Sequence, residues 1–219
     1  MSAATPRPLW GLLPVKPFAR AKSRLAPVLG EAERIALARS LGQHVLSTLA
    51  ACAEIDGVLV LSDSEEVREL TTAHGFVAEP EPEPRSDGSP LGLNTLVDHG
   101  LARLQERGAG AVLVLMSDLP RLQPDDLGQL VDALRQHDCV IAPDLRQQNT
   151  NALALRLAAT LGPFQTAFGS GDSFARHLQR SRELGLRTAI LRTPGLGFDL
   201  DLPSDYAELS ERGDLRGRS

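Results

Sequence analysis

Six short apolar runs recur along the chain, at Leu9–Val15, Val58–Leu61, Val112–Met116, Val140–Ala142, Leu153–Leu155 and Thr188–Leu191. Most are continuous rather than alternating, which is the pattern of strands covered on both faces in a largely parallel sheet. Amphipathic segments separate them. Ile35, Ala38, Leu41, Val45 and Leu49 recur at three- and four-residue steps, so Glu31–Ala51 reads as a helix with one core face. Glu65–His74 is a second helix, closed by Gly75. A third carries Leu93, Leu96, Val97, Leu101 and Leu104 and closes at Gly108. Pro124 opens a fourth, with Leu127, Leu130, Val131 and Leu134 inward, and Asp172–Leu184 is a fifth, closed by Gly185. Strands alternating with helices predict one α/β domain over residues 1–219, a three-layer α/β/α sandwich. EPEPEP at Glu79–Pro84, with the RSDGSPLG that follows, reads as a loop, first stiff and then flexible. Met1–Pro8 and Glu211–Ser219 read as frayed ends.

Composition narrows the classes. Of 219 residues, 42% are hydrophobic and 23% charged, as in an ordinary globular chain. The net charge of −5 gives no bulk attraction to nucleic acid or anionic membrane. Aromatic residues at 4% supply no stacking platform for single strands. Cys52 and Cys139 stand far apart without zinc-ligand spacing, so reduced thiols and a cytoplasmic location are expected. Leu9–Val15 is too short to cross a membrane, and no signal peptide is read before it.

Cations are concentrated where the first run ends. Lys16, Arg20, Lys22 and Arg24 fall within nine residues, between a strand and a helix. In α/β proteins that is where phosphates bind, at the carboxyl edge of the sheet. The loop is neither GxxxxGK[ST] nor GxGxxG, so side-chain cations rather than glycine amides alone must meet the anion. A second signal is VLVLMSDLP, a buried run that delivers Asp118 at its carboxyl end; turn chemistry is the plainer reading of SDLP. A third is FDLDLP at Phe198–Pro203. In an extended segment Asp199 and Asp201 share one side, while Leu200 and Leu202 face the core as anchors. Two such carboxylates repel each other, and a divalent cation neutralises them; oxygen donors near phosphate favour Mg²⁺ or Mn²⁺. Solvated aspartates at a strand edge are the plainer alternative. A cationic loop and three carboxylates on one sheet edge are equipment for phosphoryl or nucleotidyl transfer.

The segment PVKPFARAKSRLAPVLGEAERIALARSL resembles the N-terminal motif of the phospholactate guanylyltransferase family, relatives of the molybdopterin nucleotidyltransferases. The resemblance continues in order through GLNTLVDHGL, VLMSDLP, the TNAL after Asn149, the FG…SFARH of Phe168–His177, and FDLDLPSDY. It implies a Rossmann-like nucleotidyltransferase fold with a mostly parallel sheet. It also implies transfer of GMP from GTP to phosphoenolpyruvate, 2-phospholactate or 3-phosphoglycerate, with release of pyrophosphate, in deazaflavin coenzyme biosynthesis. By the same resemblance Lys16, Lys22 and Arg24 would hold the phosphates, with Lys22 at the α-phosphate. Gly92, Leu93 and Asn94 would lie beside the guanosine. Asp118, Asp199 and Asp201 would hold Mg²⁺ or Mn²⁺. Thr150, Ser173 and the amides near Gly169 and Gly171 would grip the acid, at a helix N-terminus that attracts anions. GTP and a small phosphorylated carboxylic acid are the implied partners, with a homodimer and a downstream transferase as further expectations.

The chain departs from the family pattern twice. Asn149 stands where glycine is common before Thr-Asn, a position where asparagine tolerates φ > 0. The loop Ser170, Gly171, Asp172 is one residue longer than usual, placing the acidic Asp172 where the acid would bind. Smaller signals stay open. Arg146 could pair with a substrate carboxylate or with Asp144. Ser62 and Asp63 could border the base pocket, and His177 reads as packing or capping more than as a ligand. His44, His74, His99 and His137 share no metal spacing. A nucleotide-sugar-dependent glycosyltransferase of related fold and a nucleotide-binding regulatory protein are the competing functions. Molybdopterin nucleotidyl transfer lacks its usual LAGGxSxRMG loop here.

Overall fold

The computed structural model describes residues 8–83, 91–159 and 164–211. Seven strands form one sheet in the order β3-β2-β1-β4-β6-β5-β7. They are β1 (Leu9–Pro14), β2 (Gly57–Leu61), β3 (Val77–Glu79), β4 (Ala111–Leu115), β5 (Cys139–Pro143), β6 (Thr150–Arg156) and β7 (Thr188–Ile190). β6 runs antiparallel to β4 and β5, and every other pairing is parallel. The helices are α1 (Glu31–Ala50), α2 (Glu65–Ala73), α3 (Leu93–Glu106), α4 (Pro124–Gln136), α5 (Ser173–Glu183), α6 (Pro194–Gly197) and α7 (Pro203–Glu211).

Alternation along β1 divides the core. Leu9 and Leu13 join Val45 and Leu49 of α1, Val67 of α2 and Leu127 and Leu130 of α4 on one face. Leu12 joins Val97, Leu101 and Leu104 of α3 and Phe174 of α5 on the other. The central strands are buried on both faces, which is why they read as unbroken apolar runs. A third cluster of Leu25, Leu29, Leu41, Phe198, Leu200 and Leu209 lies where the basic loop, α1 and α7 meet.

Several expectations are corrected. β3 is an extra edge strand, and it takes in Glu79, the first residue of the stretch read as loop. The antiparallel β6 begins at Thr150, earlier than the apolar run, because its polar start is paired across to Pro143. α6 and α7 add two helices near the carboxyl end. Pro8 is not frayed: its carbonyl accepts from Gly110 N at 2.8 Å. The rest of the two tails (1–7 and 212–219) and residues 84–90 of the loop lie outside the described residues. Cys52 and Cys139 are free and buried, and burial pushes the Cys139 thiol up to about 12. Among the described residues no helix is long and apolar enough to cross a membrane.

Candidate active site

The basic loop leaves β1 through two 3₁₀ turns, Phe18–Arg20 and Ser23–Leu25. Phe18 packs against α1 at Gly42, where an added Cβ would stand 3.3 Å from its ring. Leu25 is held in the third core cluster. Between these anchors Lys22 adopts φ 54°, ψ 30°, a left-handed conformation rare for a residue with a side chain. The side chain is only 8% exposed, and it turns toward the carboxylates. Its Nζ donates to Asp118 Oδ2 at 2.8 Å, to the Leu200 carbonyl at 2.6 Å and to Asp201 Oδ1 at 3.3 Å. Burial alone would lower the pKa of this ammonium, but Asp118 and Asp201 outweigh it and hold the value above the ordinary one. Arg24 is exposed and pairs with Asp201 Oδ2 at 3.3 Å. Lys16 and Arg20 are exposed and direct their charges at Glu81, whose carboxyl is raised by burial and by Asp63.

The carboxylates come from two segments. Asp118 follows β4, and its carbonyl accepts from Leu200 N at 3.1 Å, which fastens FDLDLP beside it. Leu200 is fully buried, as anticipated, but Leu202 is 36% exposed. The cause is Asp205, whose Oδ2 accepts from the amides of Asp201 at 3.0 Å and Leu202 at 2.7 Å. That turns the chain into α7 before a second leucine can reach the core. Asp199 is not in a strand; Asn151 Nδ2 donates to its Oδ1 at 3.3 Å. Burial, and then the charge of Asp118, push the Asp199 carboxyl up to about 6. Surplus negative charge on hard oxygen donors fits Mg²⁺ or Mn²⁺ by its chemistry. Yet among the described residues no three acidic, histidine or cysteine groups stand close enough to form a metal centre as placed. Lys22 bridges two of the three aspartates.

A polar knot lies next to the carboxylates. Thr150 and Ser173 are buried, and Thr150 N donates to Ser173 Oγ at 2.9 Å. His177, fully buried on α5, lies 2.9 Å from Thr150 Oγ1 through Nδ1 and accepts the Ala167 amide at Nε2, 2.8 Å away. Burial lowers its pKa to about 4. Gly169 and Gly171 take φ 76° and 77°, conformations that only glycine adopts freely. The same loop leans on α3, since an added Cβ on Gly169 would meet Leu93 at 3.9 Å. Thr166 ties the loop down further, donating to Asp98 Oδ1 at 2.8 Å through its hydroxyl. Gly92 is the N-cap of α3, with Leu93 and Asn94 in its first turn. The structure therefore brings the predicted acid-binding and base-binding segments against each other. Adjacent residues of β6 link both to the carboxylates, because Asn151 holds Asp199 and Thr150 joins His177.

Other expectations are resolved locally. Arg146 pairs with Asp205 at 2.7 Å rather than with Asp144. Asp144 instead accepts from Gln148 N and Asn149 Nδ2. The left-handed residue of that turn is Gln147, at φ 55°, and not Asn149. Asp172 occupies the N-cap of α5 without capping it and pairs with Arg176 at 2.7 Å. Asp63 accepts from Glu81 N, and Ser62 Oγ from Ser64 N. His74 and His137 bond carbonyls within their own helices. Asn151, Asp205 and Thr166 were not singled out from the sequence. Asn151 and Asp205 carry a signal only as members of the TNAL and FDLDLPSDY motifs, and Thr166 carries none.

A family model described as guanylyl transferase CofC like matches residues 10–216. The chain belongs to that family. The phosphoenolpyruvate guanylyltransferase of Sphaerobacter thermophilus is 39% identical over 199 residues, 91% of this chain and 91% of the relative. The 3-phospho-D-glycerate guanylyltransferase of Phenylobacterium zucineum is 36% identical over 202 residues, 91% and 88% of the two chains. A protein from Desulfovibrio desulfuricans G20 described as a nucleotide-diphospho-sugar transferase superposes with a TM-score of 0.76. It is 18% identical, over 95% of this chain and 89% of its own, and so shows the fold alone. The matched span of this guanylyl transferase takes in the basic loop, all three aspartates and the Thr150–His177 knot.

Proposed function

We propose that this guanylyl transferase moves GMP from GTP onto the phosphate of a phosphorylated three-carbon acid: phosphoenolpyruvate, 2-phospholactate or 3-phosphoglycerate. The observation that carries the reading is the inward ammonium of Lys22, held where the basic loop meets Asp118 and Asp201. A phosphate oxygen of the acid attacks the α-phosphorus of GTP. The bond from that phosphorus to the bridging β-oxygen breaks, and pyrophosphate leaves. The attacking oxygen is already anionic at neutral pH, so no strong general base is needed. Catalysis is alignment plus neutralisation of charge developing on the α-phosphate, the task of Lys22, with Arg24 and Lys16 toward the outer phosphates. Asp118, Asp199 and Asp201 would hold Mg²⁺ or Mn²⁺, which when bound supplies positive charge to the phosphate oxygens.

Thr150, Ser173 and the amides around Gly169 and Gly171 would hold the acid, and Gly92, Leu93 and Asn94 the guanosine. Packing of the Gly169 loop on Leu93 supports placing the two substrates side by side. The Asp172–Arg176 pair supports a loop in which the extra carboxylate is balanced rather than turned on an anionic substrate. The product would be the nucleotide-activated precursor of a deazaflavin coenzyme, consumed by a downstream transferase. The test is purified protein with Mg²⁺ and each pairing of GTP, ATP, CTP or UTP with each acid, followed by pyrophosphate release and product mass. GTP with at least one of the acids should give pyrophosphate and the matching product. Turnover equal with all four nucleotides would remove guanine recognition, and no turnover with any pairing would remove the reading.

A further inference from the structure

His177 is a buried histidine to which the reaction assigns no step, and its two ring nitrogens are both used. Ala167 N–H has no choice of role: it is a donor, 2.8 Å from Nε2. Nε2 is therefore the bare nitrogen, and the proton of the neutral ring sits on Nδ1. Nδ1–H then donates to Thr150 Oγ1 at 2.9 Å. A hydroxyl that accepts there keeps its own proton for another acceptor. The neighbouring Ser173 is in the same condition, since its Oγ accepts from Thr150 N. Among the described residues neither hydroxyl has an acceptor for its proton. Phe168 packs on the imidazole edge at 4.6 Å between ring centres, and Phe164 lies at 6.1 Å, which fixes the ring plane. Among the described residues two buried O–H groups are thus left as unspent donors beside the loop with positive-φ Gly169 and Gly171.

We infer that His177 is a positioning residue for the acid substrate: its Nδ1–H sets the Thr150 hydroxyl as a donor to the substrate anion, and its Nε2 anchors the Ala167–Gly171 loop. The inference rests on the reading of Thr150 and Ser173 as holding the phosphorylated acid. The ligand chemistry is an anion with no proton to give, a phosphate or carboxylate, because the site offers donors and a histidine that cannot rotate to accept.

The test is steady-state kinetics with the acid that the wild-type protein turns over, beside titration of GTP alone. His177→Phe keeps the aromatic packing and removes both hydrogen bonds. It should raise KM for the acid by about 10- to 100-fold, the loss expected when a donor to a charged group is misaligned. The Kd for GTP should stay within about threefold, a factor well under one tenfold step of affinity. Thr150→Val should raise the same KM, and the double variant should fall short of the product of the two single effects, as for residues acting through one another. His177→Gln, whose carboxamide offers an acceptor and a donor, should lie between wild type and His177→Phe. An unchanged acid KM in a folded His177→Phe, or single effects that multiply fully, would overturn the inference. Where His177→Phe does not fold, ¹H–¹⁵N NMR of the wild-type ring at pH 7 decides, with Nδ1–H expected and Nε2–H contradicting. Failure of the guanylyl reading looks different: the wild-type protein itself then turns over no acid.

Discussion

Replacing Lys22 with methionine removes the ammonium that the fold buries among the carboxylates. The substitution keeps much of the stem but deletes contacts of 2.8, 2.6 and 3.3 Å to Asp118, Leu200 and Asp201. Stripping one partner from a fully buried ion pair costs about 3–5 kcal/mol. Here the side chains of Asp118 and Asp201 are 25% and 39% exposed, so water recovers part of their solvation. Screening brings the cost to about 2 kcal/mol. A chain of this size loses about 2–4 °C of melting temperature per kcal/mol, so Lys22→Met should melt about 4–8 °C lower at pH 7. The same change should cut kcat by about 10²–10³, the scale for losing one preorganised charge in the transition state, while GTP affinity falls less than about tenfold. Thermal melts and a titration of kcat against KM read both effects. A variant as stable as wild type would mean that desolvation of the ammonium cancels its pairing. A variant with only KM raised would make Lys22 a plain phosphate ligand.

Asp118→Asn and Asp201→Asn should each lower turnover by about 100-fold or more with the fold intact, as when charge stabilisation of a transferring phosphoryl group is lost; excess chelator should abolish wild-type turnover, and full activity in chelator would contradict the metal assignment. His177 has its pKa lowered to about 4 in the fold against an ordinary 6.5, so its contribution to stability is complete above pH 6.5 and is lost as pH falls toward 4. That loss is about 3 kcal/mol, and denaturant melts between pH 7 and 4 should show it in wild type and not in His177→Gln; parallel declines would refute it. Asp172→Ala should change the ranking of acid substrates without changing GTP affinity or melting temperature, because its pair with Arg176 is exposed. Identical relative rates with every acid would remove the loop from substrate selection.

The sheet was legible because its central strands are covered on both faces, so burial wrote them as apolar runs. β3 was not, since three half-buried residues at an edge leave no such run. The direction of β6 was hidden for a different reason: an apolar run has no polarity, and only the short turn after β5 makes the strand return antiparallel. The positions of Lys22, Asp118 and Asp201 followed from a cationic loop and strand-end carboxylates meeting at one sheet edge. Their mutual contact did not, because it depends on a left-handed Lys22 that composition cannot reveal. Leu202 misled because period-two reasoning assumes that the extended chain continues, whereas Asp205 ends it. The Thr150–His177–Ala167 chain spans three separate segments, and no local spacing announces it.

The central claim is that bond breaking occurs at the α-phosphorus of GTP with the acid as nucleophile. GTP labelled at the α-phosphate and, separately, at the γ-phosphate distinguishes this from phosphoryl transfer and from hydrolysis. With acid and Mg²⁺ present, α-label should appear in a product whose mass equals GMP joined to the phosphorylated acid, and γ-label only in pyrophosphate, in equal amounts. Label from the γ-position in the acid product, or α-label released only as free GMP or GDP whether or not acid is present, would contradict the account.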